Sequence, residues 1–148
     1  IAIIFGGNST EYEVSLQSAS AVFENINTKK FDIVPIGISR NGEWYHYTGE
    51  IKRVADNTWI EDTDKLRPVV VSQCPATKGM LELVGINYRV IEIDLAFPVL
   101  HGKNGEDGTL QGLLQYTIFR FMHGQGPVTQ TCQSRRHFRT KVSNLQCV

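Results

Sequence analysis

His101-Gly102-Lys103-Asn104-Gly105-Glu106-Asp107-Gly108-Thr109-Leu110-Gln111-Gly112 is the stretch that decides the fold. A largely apolar run, Ile93 to Leu100, precedes it, and a second, Leu110 to Leu114, overlaps its end. The pattern is a strand feeding a glycine-broken loop that opens a helix, and in open α/β sheets such loops lie where ligands bind. Gly102, Gly105 and Gly108 can take positive φ or admit a close ligand, and Glu106 and Asp107 stand where a helix N-terminus favours negative charge.

Working outward, Ile1 to Phe5 is a continuous apolar run ended by Gly6-Gly7, as expected of a central strand buried on both faces. After the polar loop Asn8 to Tyr12, the residues Val14, Ala19, Val22, Phe23 and Ile26 recur at helical spacing and predict an amphipathic helix over about Glu13 to Asn25. Phe31 to Ile38 reads as the next strand, with Pro35 marking an edge or a bend. Strand, helix, strand is a right-handed βαβ unit. Asn41-Gly42 predicts a tight hairpin returning through Trp44 to Tyr47, and residues 48–67 read as loop with at most a short helix. Val69 to Ser72 is strand-like, and Lys78 to Val84 with Tyr88 to Ile93 predicts a second hairpin around Gly85-Ile86-Asn87. The expected fold is α/β: a Rossmann-like, mainly parallel sheet with flanking helices and hairpin insertions.

The chain of 148 residues suits one domain with a real core. Its 41% hydrophobic and 20% charged content is that of a soluble globular protein, and no apolar run approaches the length of a membrane span. The N-terminus lacks an initiator Met and reads as a buried strand rather than a signal peptide, so a few first residues are expected to be missing. Cys74, Cys132 and Cys147 are too scattered for a disulfide framework or a zinc site, which points to a reducing cytoplasm. The balanced charge hides an asymmetry. Residues 1–107 hold ten basic and all fifteen acidic residues, while residues 108–148 hold Arg120, Arg135, Arg136, Arg139 and Lys141 and no acid.

Gly6-Gly7-Asn8-Ser9-Thr10-Glu11-Tyr12-Glu13-Val14-Ser15 is not a dinucleotide fingerprint, since the Gly-x-Gly-x-x-Gly spacing is absent. A hydride-transferring enzyme is therefore disfavoured. The loop at His101 has too few His or Cys ligands for zinc, and nothing matches a nucleophile elbow.

The segment His101 to Gly112 matches the N-terminal signature of D-alanine-D-alanine ligases and their vancomycin-resistance relatives, and Phe5 to Ser15 resembles the Gly-Gly-x-Ser-x-Glu-x-Glu-Val-Ser segment at their start. The resemblance covers residues 1 to about 115. In Asn8 to Ser15 and Lys103-Asn104 it is nearest to the G-type resistance ligases, which make D-alanyl-D-serine. It implies the pre-ATP-grasp domain of an ATP- and Mg²⁺-dependent, cytoplasmic and typically homodimeric ligase of peptidoglycan precursor synthesis. In that family ATP phosphorylates the carboxylate of a first D-alanine, and a second D-amino or hydroxy acid attacks the acyl phosphate. Carried over by motif position, Glu11 pairs with the first D-alanine's ammonium and His101 lies beside the reacting carboxylate. The turn around Val14 and Ser15 packs on the substrate, as does Gly102. Gly105, Glu106, Asp107 and Gly108 order the loop. No residue of the motif is a metal ligand, and the ATP- and Mg²⁺-binding segments of the family lie beyond it.

After Gln115 the resemblance ends. Back-translating Phe121 to Gln125 and stepping one base gives Leu-Cys-Met-Asp-Lys, and the same step through His137 to Lys141 gives Ile-Ser-Val-Pro-Lys. Both are family-like and in the family's order. Residues 116–148 are thus expected to be out-of-frame translation that does not pack, and the fragment to be inactive alone. Two other readings stay open at this point: a non-catalytic small-ligand or partner-binding module, and nucleic-acid binding through the basic tail, whereas the ligase reading expects no nucleic acid and no membrane.

Overall fold

The computed structural model describes residues 1–74, 76–117 and 120–122. Its eight strands are β1 (Ala2–Gly6), β2 (Val34–Ile38), β3 (Trp44–Tyr47), β4 (Leu66–Val71), β5 (Gly79–Val84), β6 (Asn87–Glu92), β7 (Leu95–Pro98) and β8 (Arg120–Phe121). The helices are α1 (Tyr12–Asn25), α2 (Lys52–Ala55) and α3 (Thr109–Gln115). The sheet order is β6-β5-β4-β3-β2-β1-β7-β8.

The fold is α/β, as the sequence predicts, but among the described residues only three of the seven strand pairings are parallel, so the sheet is mixed rather than mainly parallel and is divided by strand direction. β1 pairs in parallel with β2 and β7, and β7 with β8. Every pairing from β2 outward to β6 is antiparallel; β2–β3, β4–β5 and β5–β6 are joined by short returns, and β3–β4 by the longer segment 48–65 that carries α2. The carboxyl ends of β1, β2 and β7 therefore share one edge of the sheet. Their order, β2-β1-β7, puts a topological switch point between β1 and β7.

β1 is buried along its whole length, and its side chains alternate between two cores. Ala2 and Ile4 join Ile36, Ile38, Val69, Met80, Ile93 and Ala96 beneath Leu110 and Leu114 of α3. Phe5 joins Tyr12, Leu16 and Ala19 of α1 with Tyr47, Val54 and Trp59.

Several elements depart from expectation for identifiable reasons. The buried stripe of α1 is Tyr12, Ser15, Leu16, Ala19 and Ser20, and Val14 is 49% exposed. Apolar spacing misplaced that face because two of its members are hydroxyl residues satisfied internally. Pro35 stands in an interior strand. Val34 donates its N–H to Ile1 O at 2.9 Å, so by alternation the missing N–H of Pro35 would face the β3 side, where pairing begins only at Ile36. β4 starts at Leu66 and changes partner midway. Leu66 to Pro68 pair with β3, and Val69 to Val71 pair with β5.

The weakly patterned stretch 48–67 contains α2 and two single-turn 3-10 helices, Trp59–Glu61 and Thr63–Lys65. Trp59 is fully buried at the centre of an aromatic cluster, with ring centroids 5.2 Å from Phe5 and 5.9 Å from Tyr47 in edge-on geometry. Its indole N–H donates to the Tyr12 hydroxyl at 2.9 Å. Gly37 on β2 makes room for it, since a Cβ there would lie 2.4 Å from the indole ring. Gly37→Ala is therefore expected to cost about 1–3 kcal/mol by overpacking. Urea unfolding measures this against Gly112→Ala, whose Cβ would meet nothing within 4 Å. Equal midpoints for the two variants would contradict the packing argument.

Arg120–Phe121 adds β8 to the sheet past residue 115, with Leu95 opposite Arg120 and Ala96 opposite Phe121. Expectations for residues 123–148 lie outside the described residues.

Candidate functional site at the carboxyl edge of the sheet

Three loops meet at the carboxyl edge: Gly7 to Glu11 after β1, Ser39 to Glu43 after β2, and Val99 to Gly108 after β7. The first two are joined through Gly7, whose N–H donates to Ile38 O at 2.8 Å. Gly6 can only be glycine. Its φ is +86°, and a Cβ would lie 2.2 Å from Ile38 O.

Ser15 links all of these parts from below. Its hydroxyl accepts the Gly6 N–H at 2.8 Å and donates to Val99 O at 2.5 Å, with no exposed surface. It thereby ties α1 to the ends of β1 and β7 and satisfies two backbone groups. The structure thus places Ser15 beneath the site with its hydroxyl committed, while Val14 one residue earlier faces solvent.

The β7–α3 loop is held by Asp107. Its carboxylate accepts the backbone N–H of Asn104 at 2.9 Å and of Thr109 at 3.0 Å. These hydrogen bonds, Asn104's first, hold the Asp107 carboxyl below its ordinary range. Gly105 and Glu106 both donate N–H groups to Gly102 O, at 3.2 and 3.0 Å. Gly108 precedes α3 with φ +90°. Gly105 is buried against Leu100.

Glu11 and Gly102 bring the two motifs together. Gly102 has φ +68°, and a Cβ on it would lie 2.8 Å from Ser9 Oγ and 3.1 Å from Glu11 Oε1. A side chain here would push the carboxylate aside. Asn104 Nδ2 reaches back to Asn8 O at 3.5 Å. The Glu11 N–H donates to Ser9 Oγ at 3.1 Å, but the Glu11 carboxylate itself has no hydrogen-bond or ion-pair partner among the described residues. The site thus holds an exposed carboxylate against a glycine of the facing loop.

His101 is held by a hydrogen bond at one ring nitrogen and has a carboxylate near the other. Nε2 lies 3.0 Å from Ser18 Oγ on α1, and Nδ1 lies 3.7 Å from Glu106 Oε1. The imidazole remains about one-third exposed. Sequence reasoning missed Ser18. It also missed Arg40, which a parallel βαβ register puts at the same edge as Glu11. The Arg40 guanidinium lies 4.2 Å from the centre of the Tyr12 ring and pairs with Glu13. Burial holds the Tyr12 phenol above its ordinary value, so this ring stays neutral.

This arrangement defines a class: a Rossmann-like domain of the pre-ATP-grasp kind, with Glu11 and His101 on two parallel βα loops. The family described as D-ala D-ala ligase N-terminus matches residues 1–124, and the chain belongs to that family. Among solved structures it is similar to the VanG D-Ala:D-Ser ligase of Enterococcus faecalis, with 68% identity and a TM-score of 0.77 over 81% of this chain and 34% of that one. It is 36% identical over 146 residues to a D-alanine–D-alanine ligase of Caldicellulosiruptor bescii, covering 99% of this chain and 39% of that protein. It is 42% identical over 115 residues to the vancomycin C-type resistance protein VanC1 of Enterococcus gallinarum, covering 78% of this chain and 31% of that protein. The chain thus spans about a third of the length of these relatives.

Proposed function

We propose that residues 1–115 form the first-substrate domain of an ATP-dependent D-alanine–D-serine or D-alanine–D-alanine ligase that makes peptidoglycan precursors, the D-serine product conferring glycopeptide resistance. The observation that carries this reading is the unpaired Glu11 carboxylate held against Gly102 in a domain of that family. D-Alanine enters as a zwitterion and needs a fixed anion for its ammonium once water is excluded. Glu11 is that anion. His101, held by Ser18 with Glu106 nearby, lies on the same loop as Gly102 and faces the carboxylate end of the substrate. Val14 covers the substrate from α1, and Ser15 sets the loop geometry from beneath. The second substrate is D-serine or D-alanine.

ATP supplies the phosphoryl group that activates the first carboxylate. Mg²⁺ and the adenine nucleotide are assigned to the remainder of a full-length enzyme, a cytoplasmic homodimer, on the family resemblance alone. Among the described residues no helix is long and apolar enough to cross a membrane.

The test is phosphate release dependent on both ATP and D-alanine, measured on this chain and on a version with the frame restored after residue 115. Release only in the restored chain is expected. Silence in both would favour a non-catalytic small-ligand module, and salt-sensitive DNA binding needing residues 116–148 would favour a nucleic-acid role.

A further inference from the structure

Beside the contact between Glu11 and Gly102 opens a cleft of ≈ 510 Å³ lined by Asn8, Ser9, Thr10, Arg40 and Lys103. Its wall carries two cations and no carboxylate. They come from separate loops, Arg40 after β2 and Lys103 after β7, and the cleft between these loops presents both cations to solvent. Arg40 is pre-set by its stack on Tyr12 and its pairing with Glu13 through a single terminal nitrogen, which leaves other guanidinium N–H groups to donate. The Lys103 ammonium has no hydrogen-bond or ion-pair partner among the described residues, and neither does the Thr10 hydroxyl. Ser9 Oγ accepts the Glu11 N–H and keeps its own proton to donate.

We propose that this cleft is a subsite for a phosphate-type oxyanion, gripped by Arg40 and Lys103 and completed by the hydroxyls of Ser9 and Thr10. Two cations and two hydroxyl donors on three loops call for acceptor oxygens on several sides, which a flat carboxylate does not present. A phosphate, with up to two charges and oxygens on several sides, matches them. The inference takes its biological sense from the ligase reading, in which a phosphoryl group meets the carboxylate of the amino acid held at Glu11. Neither early motif would suggest it, because Arg40 lies outside both.

Calorimetric titration of the full chain with inorganic phosphate tests this, with chloride exchanged to keep ionic strength constant, and with acetate and D-alanine as separate arms. Phosphate is expected to bind saturably and more tightly than acetate. Lys103→Gln and Arg40→Gln should each weaken it at least about tenfold, a change of ~1.4 kcal/mol, while Lys103→Arg keeps most of the affinity. Lys103 is an exposed loop residue, so its variant reports even if Arg40→Gln disturbs the stack on Tyr12. Heats that follow ionic strength alone, acetate binding as tight as phosphate, or wild-type affinity in the Lys103→Gln chain would each overturn the subsite. D-Alanine failing while phosphate binds would leave the subsite standing, and the ligase reading would then be decided by phosphate release from the frame-restored chain. The reverse would remove only the subsite.

Discussion

Glu11→Ala, made in a complete ligase carrying this domain, is expected to raise the KM for the first D-alanine by a hundredfold or more, or to abolish turnover. A chimera in which residues 1–115 replace the matching segment of the Enterococcus faecalis D-Ala:D-Ser ligase provides the frame, since 68% identity leaves most of the domain's contacts in place. Removing one partner of a buried ion pair costs about 3–5 kcal/mol, roughly a hundred- to several-thousandfold in affinity. Among the described residues the Glu11 carboxylate has no partner whose loss would add to the effect of the substitution, so the penalty falls on substrate binding. The loss should appear in first-site KM more than in kcat, because an ammonium contact is made in ground state and transition state alike. Glu24→Ala, an exposed acid near the other end of α1, is the control and should leave both constants unchanged. First-site kinetics untouched by Glu11→Ala would take Glu11 out of the site.

How much of this could be read from the chain depends on the range of the interactions concerned. Local chemistry was legible. The Asn41-Gly42 and Gly85-Ile86 turns, the Gly6-Gly7 break and the strand–loop–helix run around His101 each write their geometry into a few neighbouring residues. Long-range satisfaction was not. Ser15 looks polar in a helical pattern, yet it is buried because its partner Val99 O arrives from 84 residues away. Trp59 sits in a stretch without periodicity and is buried because Gly37 leaves a hole on another strand. Arg40 enters the site only through the parallel register of β1 and β2, which places Ile38 opposite Gly6. The two family motifs identify the loops of the site. The cation between them comes from topology.

At the far end of the sheet, replacing Glu82 is expected to matter less than replacing its two partners. Glu82 on β5 has a side chain only 4% exposed, yet it accepts from His46 Nδ1 at 2.7 Å and from Arg89 Nη2 at 2.9 and 3.0 Å. Burial pushes its carboxyl up, and the His46 and Arg89 hydrogen bonds outweigh that and hold it below its ordinary range. The cluster is asymmetric in burial, since the Arg89 side chain is 64% exposed and that of His46 16%. Glu82→Leu frees a guanidinium that water can solvate and buries no charge in its place, so its cost should be about 1 kcal/mol or less. The His46→Leu, Arg89→Leu double variant strands the buried carboxylate and should cost about 3–5 kcal/mol at neutral pH. Adding Glu82→Leu to that double variant should restore most of the loss. The pH dependence follows from the depressed carboxyl. Its contribution is fully present above the unfolded value of about 4.3 and is lost as pH falls through the folded value, where the cluster takes up a proton. Stability measured by urea unfolding should therefore fall more steeply below about pH 4.3 in the wild-type chain than in Glu82→Leu. Parallel acid limbs for the two chains, or a Glu82→Leu loss as large as that of the double variant, would show that the buried carboxylate is not the group that the cluster exists to neutralise.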